Sequence, residues 1–221
     1  MAIFNIMLIG KTGHGKSSTA NTLVGREVFE VSGSSSSTTK DNQYETTTID
    51  GHDITVIDTP GMKDTENKKS NDTSKAIDYM TRALMQCDSK IHLFLFVFKY
   101  GAKFTQEEMD SIRTFYPGED NKEEFLRRCA VLVTNGDDFL LDNKEESFNT
   151  WCRQQKEMMG FVLKDVDYRA ILFENKRRPL PNQKSKVIQM AINICADHGP
   201  YTKAMFEKAV DEYESMSEKC C

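Results

Sequence analysis

The sequence contains no apolar stretch long enough to cross a bilayer. The longest, Ile91 to Phe98, falls far short of the roughly 20 residues a spanning helix needs and is interrupted by His92. Charge of one sign is scarce too. The net charge is -5 and the pI near 5.5, and basic residues alternate with acidic ones, as in Asn121-Lys-Glu-Glu-Phe-Leu-Arg-Arg128. No broad basic surface follows, so nucleic acid is not expected as a partner, and any anion must be held by a local site. The cysteines (Cys87, Cys129, Cys152, Cys195, Cys220, Cys221) form neither a CxxC pair nor a metal-ligand spacing. A chain of 221 residues does not need disulfide staples, which points to reduced thiols and a cytoplasmic setting. Ala2–Ile9 is apolar but short and has no basic segment before it, unlike a secretory leader. No internal repeat is present, and the one low-complexity tract is Ser32-Gly-Ser-Ser-Ser-Ser-Thr-Thr39.

A hydrophobic content of 38% suits one packed domain with an appended helical piece. Strand-like runs are expected at Ala2–Ile9, Tyr44–Ile49, Asp53–Ile57, Ile91–Phe98, Cys129–Thr134 and Tyr168–Phe173. Helical patterns fall between them, over Lys16–Leu23, Ser74–Gln86, Thr105–Phe115, Phe148–Met159 and Gln183–Ala196. This alternation predicts an α/β fold of three layers, with helices covering a mostly parallel six-stranded sheet. The Asp50-Gly51-His52 turn joins two strands as a hairpin, giving one antiparallel edge strand. His198-Gly-Pro200 separates a body over residues 1–197 from an amphipathic helical extension over 198–221.

The chemistry begins at Gly10-Lys-Thr-Gly-His-Gly-Lys-Ser17, which fits the pattern Gly-x-x-x-x-Gly-Lys-Ser/Thr between a strand and a helix. The glycines let backbone N–H groups turn toward phosphate oxygens, and the helix N-terminus favours the anion. Gly10, Lys11, Thr12, Gly13, His14, Gly15, Lys16, Ser17 and Ser18 are therefore expected to cradle a nucleotide. Lys16 would bridge the β- and γ-phosphates and Ser17 would ligate Mg2+. Asp58-Thr-Pro-Gly61 ends a strand, so Asp58 is expected to face the metal and the Gly61 N–H to hold a γ-phosphate oxygen. In the Ser34–Thr39 tract Thr39, with Thr38 as its competitor, would complete the Mg2+ shell. After Ala130–Val133 comes Asn135-Gly-Asp-Asp138. A carboxylate at Asp138 can accept N1–H and the 2-amino hydrogens of guanine, whereas adenine offers neither, which argues for GTP and GDP over adenine nucleotides.

Taken together, Gly10–Ser18, Asp58-Thr-Pro-Gly-Met-Lys-Asp-Thr65, Lys103-Phe-Thr-Gln-Glu-Glu108, Thr134-Asn-Gly-Asp-Asp-Phe139 and Phe173-Glu-Asn-Lys176 resemble the GIMAP family, the GTPases of immunity-associated proteins and their plant and invertebrate relatives, within the septin-like GTPases. The resemblance covers roughly residues 3 to 197. It implies a Ras-like G domain with a helical extension, and a homodimer or oligomer formed through the nucleotide face when GTP is bound. It also implies a guanine wall at Asn175 and Glu174. Three positions depart from the pattern. Gly136 replaces a lysine whose stem packs on the base, and Glu174 replaces an asparagine. Met62 stands where small GTPases place a water-orienting glutamine, so slow hydrolysis is expected. Lys103 is a candidate trans-acting charge on the transition state, and equally a solvated residue before a helix cap. Cys220-Cys221 resembles a doubly lipidated tail, which would allow association with the cytosolic face of an internal membrane, and equally a point from which a longer helical C-terminus, as in relatives, would continue.

Overall fold

The computed structural model describes residues 3–31, 41–61, 69–117 and 121–219. In chain order the elements are β1 (Ile3–Ile9), α1 (Lys16–Val24), β2 (Gln43–Ile49), β3 (His52–Asp58), α2 (Lys69–Gln86), β4 (Lys90–Ile91) and β5 (Leu93–Lys99). There follow α3 (Gln106–Arg113), α4 (Lys122–Leu126), β6 (Cys129–Thr134), α5 (Gly136–Asp142), α6 (Phe148–Gln154) and α7 (Glu157–Asp165). The chain continues with β7 (Ala170–Leu172), α8 (Gln183–His198), β8 (Tyr201–Thr202) and α9 (Lys203–Lys219). Six strands form one sheet in the order β2-β3-β1-β5-β6-β7. All pair in parallel except β2, which runs antiparallel to β3 with Ile49 opposite His52. The Asp50-Gly51 turn has both residues at positive φ, 51° and 79°, as a two-residue hairpin with this twist requires.

The sheet is buried on both faces because its central strands are apolar along most of their length. In β5, Phe94, Phe96 and Phe98 enter one core while Leu93, Leu95 and Val97 enter the other. β1 divides Met7 and Ile9 from Ile6 and Leu8 in the same way. Side chains that alternate across a pleat feed two cores only when neither face is wet.

Two expected elements are broken. The apolar run from Ile91 divides at His92, where the Asn5 backbone N–H donates to Nδ1 at 2.9 Å. The Asn5 amide also donates to the Lys90 carbonyl at 2.8 Å and the Cys87 carbonyl at 3.0 Å. These contacts turn Lys90–Ile91 away from the large sheet to pair with Tyr201–Thr202. The Phe148–Met159 run is two helices. Gln155 and Lys156 are extended between them, and a Cβ at Gly160 would lie 2.5 Å from the Gln155 carbonyl oxygen.

The segment after His198 packs on the body. Tyr201 is fully buried in the core with Phe94 and Phe125, and its hydroxyl accepts from the Asn121 amide at 2.8 Å. The Arg128 guanidinium, 2% exposed, donates to the His198 and Gly199 carbonyls. Phe206 and Ala209 place the apolar face of α9 against that body. Cys220 and Cys221 lie outside the described residues, and no described helix is long and apolar enough to cross a membrane.

Candidate functional site

The C-terminal ends of β1, β3, β5, β6 and β7 converge, and on either side of β1 the chain departs in opposite directions. Open α/β sheets form their ligand crevice at such a switch point. Here it is a cavity of about 160 Å³ lined by Thr12–Ser18, Val31, Thr59, Gly61, Lys99, Thr134, Asn135, Asn175 and Lys176.

The phosphate loop owes its shape to two local constraints. Gly13 and Gly15 have φ of 85° and 94°, a region that side chains resist. A Cβ on Gly10 would lie 2.6 Å from the Val97 carbonyl oxygen, so only glycine lets the loop cross β5 this closely. Inside the loop the Lys16 ammonium, 6% exposed, donates to the Gly10 carbonyl at 2.9 Å and the Lys11 carbonyl at 3.2 Å. Burial lowers its pKa to about 8, against the opposing pull of the Asp58 carboxylate. A buried cation whose described hydrogen bonds go to carbonyls is a ready receptor for phosphate oxygens.

Ser17 and Asp58 are brought together as the sequence leads one to expect. The Ser17 hydroxyl donates to Asp58 Oδ2 at 2.6 Å, and Asp58 is fully buried. A hydroxyl and a carboxylate at one point are hard oxygen donors. They suit Mg2+, which takes few protein ligands and completes its shell with phosphate and water. Gly61 backs onto the loop so closely that a Cβ would lie 2.2 Å from Thr12 Oγ1 and 2.8 Å from Thr12 Cα. Thr39 and Met62 lie outside the described residues.

The end of the cavity where the sequence leads one to expect the base is formed by the segments after β6 and β7. Thr134 Oγ1 donates to the His14 carbonyl at 3.0 Å, tying β6 to the phosphate loop. Asn135 takes a left-handed conformation and its amide donates to Asp138 Oδ2 at 3.2 Å. Arg177 approaches the other Asp138 oxygen at 3.6 Å. Asn175 braces α1, donating to Thr19 Oγ1 at 2.9 Å and accepting from Thr22 Oγ1 at 3.0 Å.

Glu174 does not face the cavity. It is 3% exposed, and its carboxylate is occupied by backbone N–H groups. Lys103 is exposed on the loop after β5 and borders a second cavity, whereas Lys99 lines the cavity beside the Thr12–Ser18 loop. Lys99, Thr134 and Lys176 also line the cavity, although the motifs assign none of them a role there. Lys99 and Thr134 close β5 and β6, and Lys176 lies on the loop after β7, all at the strand ends that face the Thr12–Ser18 loop, which is the signal the sequence offers.

A family model described as the AIG1 family matches residues 4–220. Immune-associated nucleotide-binding protein 3 of Arabidopsis thaliana is 27% identical, with 99% of this chain and 65% of that protein aligned. Immune-associated nucleotide-binding protein 10 of the same plant is 30% identical over 95% of this chain and 45% of its own length. The chain thus spans about half to two thirds of these relatives. Among solved structures, Toc33 from Arabidopsis thaliana in complex with GDP and Mg2+ superposes with a TM-score of 0.61 at 19% identity, covering 90% of this chain and 87% of that one. A structure linking dimerisation to the GTPase activity of the chloroplast translocon components atToc33 and psToc159 gives 0.55 at 17% identity, covering 89% and 84%. These likenesses show the fold. The match running almost from end to end, on a chain whose Thr12–Ser18 loop, Thr59 and Gly61 after β3, and Asn135 after β6 line one crevice, makes this protein a member of the AIG1 family.

Proposed function

We propose that the chain binds GTP and GDP with Mg2+ in this crevice, hydrolyses GTP slowly, and pairs with a second copy through the nucleotide face when GTP is bound. One observation carries the reading: the Ser17 hydroxyl and the buried Asp58 carboxylate meet beside a buried ammonium at the mouth of a glycine cradle. Bound Mg2+ would neutralise charge on the β- and γ-phosphates. Lys16 would exchange its two carbonyl partners for phosphate oxygens, and Ser17 and Asp58, with Thr39, would hold the metal. The Gly61 N–H would fix a γ-phosphate oxygen, while Asp138 would accept the guanine edge beside Asn135 and Asn175. In hydrolysis the oxygen of water bonds to the γ-phosphorus as the bond to the β,γ-bridging oxygen breaks, leaving GDP and phosphate. No glutamine follows Gly61 to orient that water, and a thioether at Met62 cannot do so.

Lys103, exposed on the loop after β5, would be the charge that acts on a partner's nucleotide. The Toc33 structures supply the analogy for pairing. A scaffold reading, in which GTP builds a dimer with negligible turnover, draws on the same Met62. Single-turnover hydrolysis across a dilution series, beside sizing runs in GDP and in a non-hydrolysable GTP analogue, separates the two. A rate that rises with protein concentration supports assembly-dependent hydrolysis. A GTP-analogue dimer without turnover supports the scaffold, and no nucleotide-dependent dimer rejects both.

A further inference from the structure

Position 136 is where the base-reading motif ordinarily carries lysine and this chain carries glycine. The structure shows what that exchange permits. The Gly136 N–H donates to the Phe173 carbonyl at 3.0 Å, and a Cβ there would lie 2.7 Å from Leu180 Cδ1 and 3.2 Å from the Phe173 oxygen. The Asn135–Asp138 turn is pressed onto the end of β7 and has no lysine stem to set its distance from a base. Its fixed point lies elsewhere.

That point is Glu174. One carboxylate oxygen accepts the Asp137 N–H at 3.1 Å, and the other accepts the Lys176 N–H at 2.7 Å and the Arg177 N–H at 3.1 Å. The side chain is 3% exposed. Burial alone would raise its pKa, but these N–H groups outweigh it and hold the carboxyl below its ordinary value. The backbone of Glu174 is pinned in turn by Gln183, whose amide oxygen accepts the Glu174 N–H at 3.0 Å and whose amide nitrogen donates to the Glu174 carbonyl at 2.9 Å. Gln183 is itself 2% exposed. A single carboxylate thus joins the first turn of α5, which carries Asp138 and is capped by Asn135, to the loop that carries Asn175 and Lys176. Asparagine, the ordinary occupant of position 174, is a methylene shorter and would turn an NH2 toward one of these donors, so it could not accept all three.

We infer that Glu174 is a positioning residue for base recognition, its carboxylate locking the two base-facing loops into one frame in place of the lysine missing at 136. The inference rests on the guanine reading of the crevice.

Amide hydrogen exchange and nucleotide affinity, measured on wild type, Glu174→Gln and Glu174→Ala, test it together. In wild type the Asp137, Lys176 and Arg177 amides are protected with and without GDP. Glu174→Ala exposes all three, weakens GDP about tenfold, narrows the preference for GDP over inosine diphosphate (which lacks the 2-amino group), and leaves inorganic tripolyphosphate binding unchanged. Glu174→Gln keeps the length and loses the charge, so it shows a smaller change and guards against misfolding of the alanine variant. Unchanged GDP preference with the protection lost overturns the inference. So does loss of wild-type protection on GDP binding, which would mean the carboxylate swings onto the base. A wild type that binds ADP as well as GDP overturns the guanine reading itself, and intact exchange protection distinguishes that failure from failure of the tether.

Discussion

His14 Nε2 lies 3.3 Å from Glu108 Oε1, so the phosphate loop is tied to the first turn of α3. Both side chains are buried. The other Glu108 oxygen accepts the Thr105 N–H at 2.6 Å and the Thr105 hydroxyl at 3.1 Å, completing the capping box that the Thr105-Gln-Glu-Glu108 sequence announces. Burial lowers the His14 pKa, while the Glu108 carboxylate opposes it. A neutral imidazole turned into the fold toward a helix cap is not placed to act as a base on the nucleotide.

Glu108→Gln should destabilise the nucleotide-free protein by about 1–3 kcal/mol, because the amide cannot accept from both Thr105 and His14. His14→Phe alone should cost less. The double variant should fall short of the sum by at least ~0.5 kcal/mol if the two residues act as a pair. Urea unfolding of the four proteins checks this, and strict additivity would show that the contact contributes nothing.

Much of this site was legible because phosphate binding is written in local backbone requirements. Gly10, Gly13 and Gly15 answer to a conformation and a close approach, and Lys16 and Ser17 sit at fixed spacing from them. The pairing of Ser17 with Asp58 could be anticipated because a strand end fixes where Asp58 stands. The role of Glu174 could not. Its partners are backbone N–H groups of Asp137, Lys176 and Arg177, which any sequence supplies equally. The break at His92 was hidden for a related reason: an apolar run reads as one strand until Asn5, distant in sequence, takes the turn into its own hydrogen bonds.

His92 gives the fold a dependence on acid. Its Nδ1 accepts the Asn5 N–H, and burial, helped by the nearby Lys90 ammonium, lowers its pKa from 6.5 to about 4. The unfolded chain therefore takes up the proton first, and stability is lost as pH falls from about 6.5 toward 4. Discounted for partial solvent contact, the loss between pH 7 and 5 is ~1 kcal/mol. His92→Asn keeps an acceptor without the titration, so its unfolding midpoint should fall less over that range. Parallel curves for the two proteins would count against this assignment.

Gly61 is the contact between the Asp58 turn and the phosphate loop. A methyl group there meets Thr12 at its side chain, Cα and N, so trimming the Thr12 hydroxyl would not make room. Gly61→Ala must lift the turn away from the loop and carry the N–H expected to hold the γ-phosphate out of position. GTP affinity should drop by about tenfold or more while GDP affinity stays close to wild type, since one strong charge-assisted hydrogen bond is lost and only from the third phosphate. Calorimetric titration with both nucleotides decides it, and an equal loss for GDP would mean that the whole loop had been displaced.

Asp138 is the sharpest probe of the base. Among the described residues its carboxylate meets the Asn135 amide at 3.2 Å and, in a long approach, Arg177, a partner whose paired N–H groups resemble the guanine edge. A base presenting N1–H and a 2-amino group can displace that exposed guanidinium, because surface ion pairs contribute little. Asp138→Asn replaces one acceptor by a donor. Guanine then meets a donor with a donor, whereas xanthine offers a carbonyl at that edge. Roughly a hundredfold loss for GDP with a gain for xanthosine diphosphate is expected, since a misplaced buried donor forfeits a hydrogen bond and leaves another unmet. Competition between the two nucleotides on wild type and variant gives the ratio directly, and an unchanged GDP affinity would move base selection away from the β6 turn.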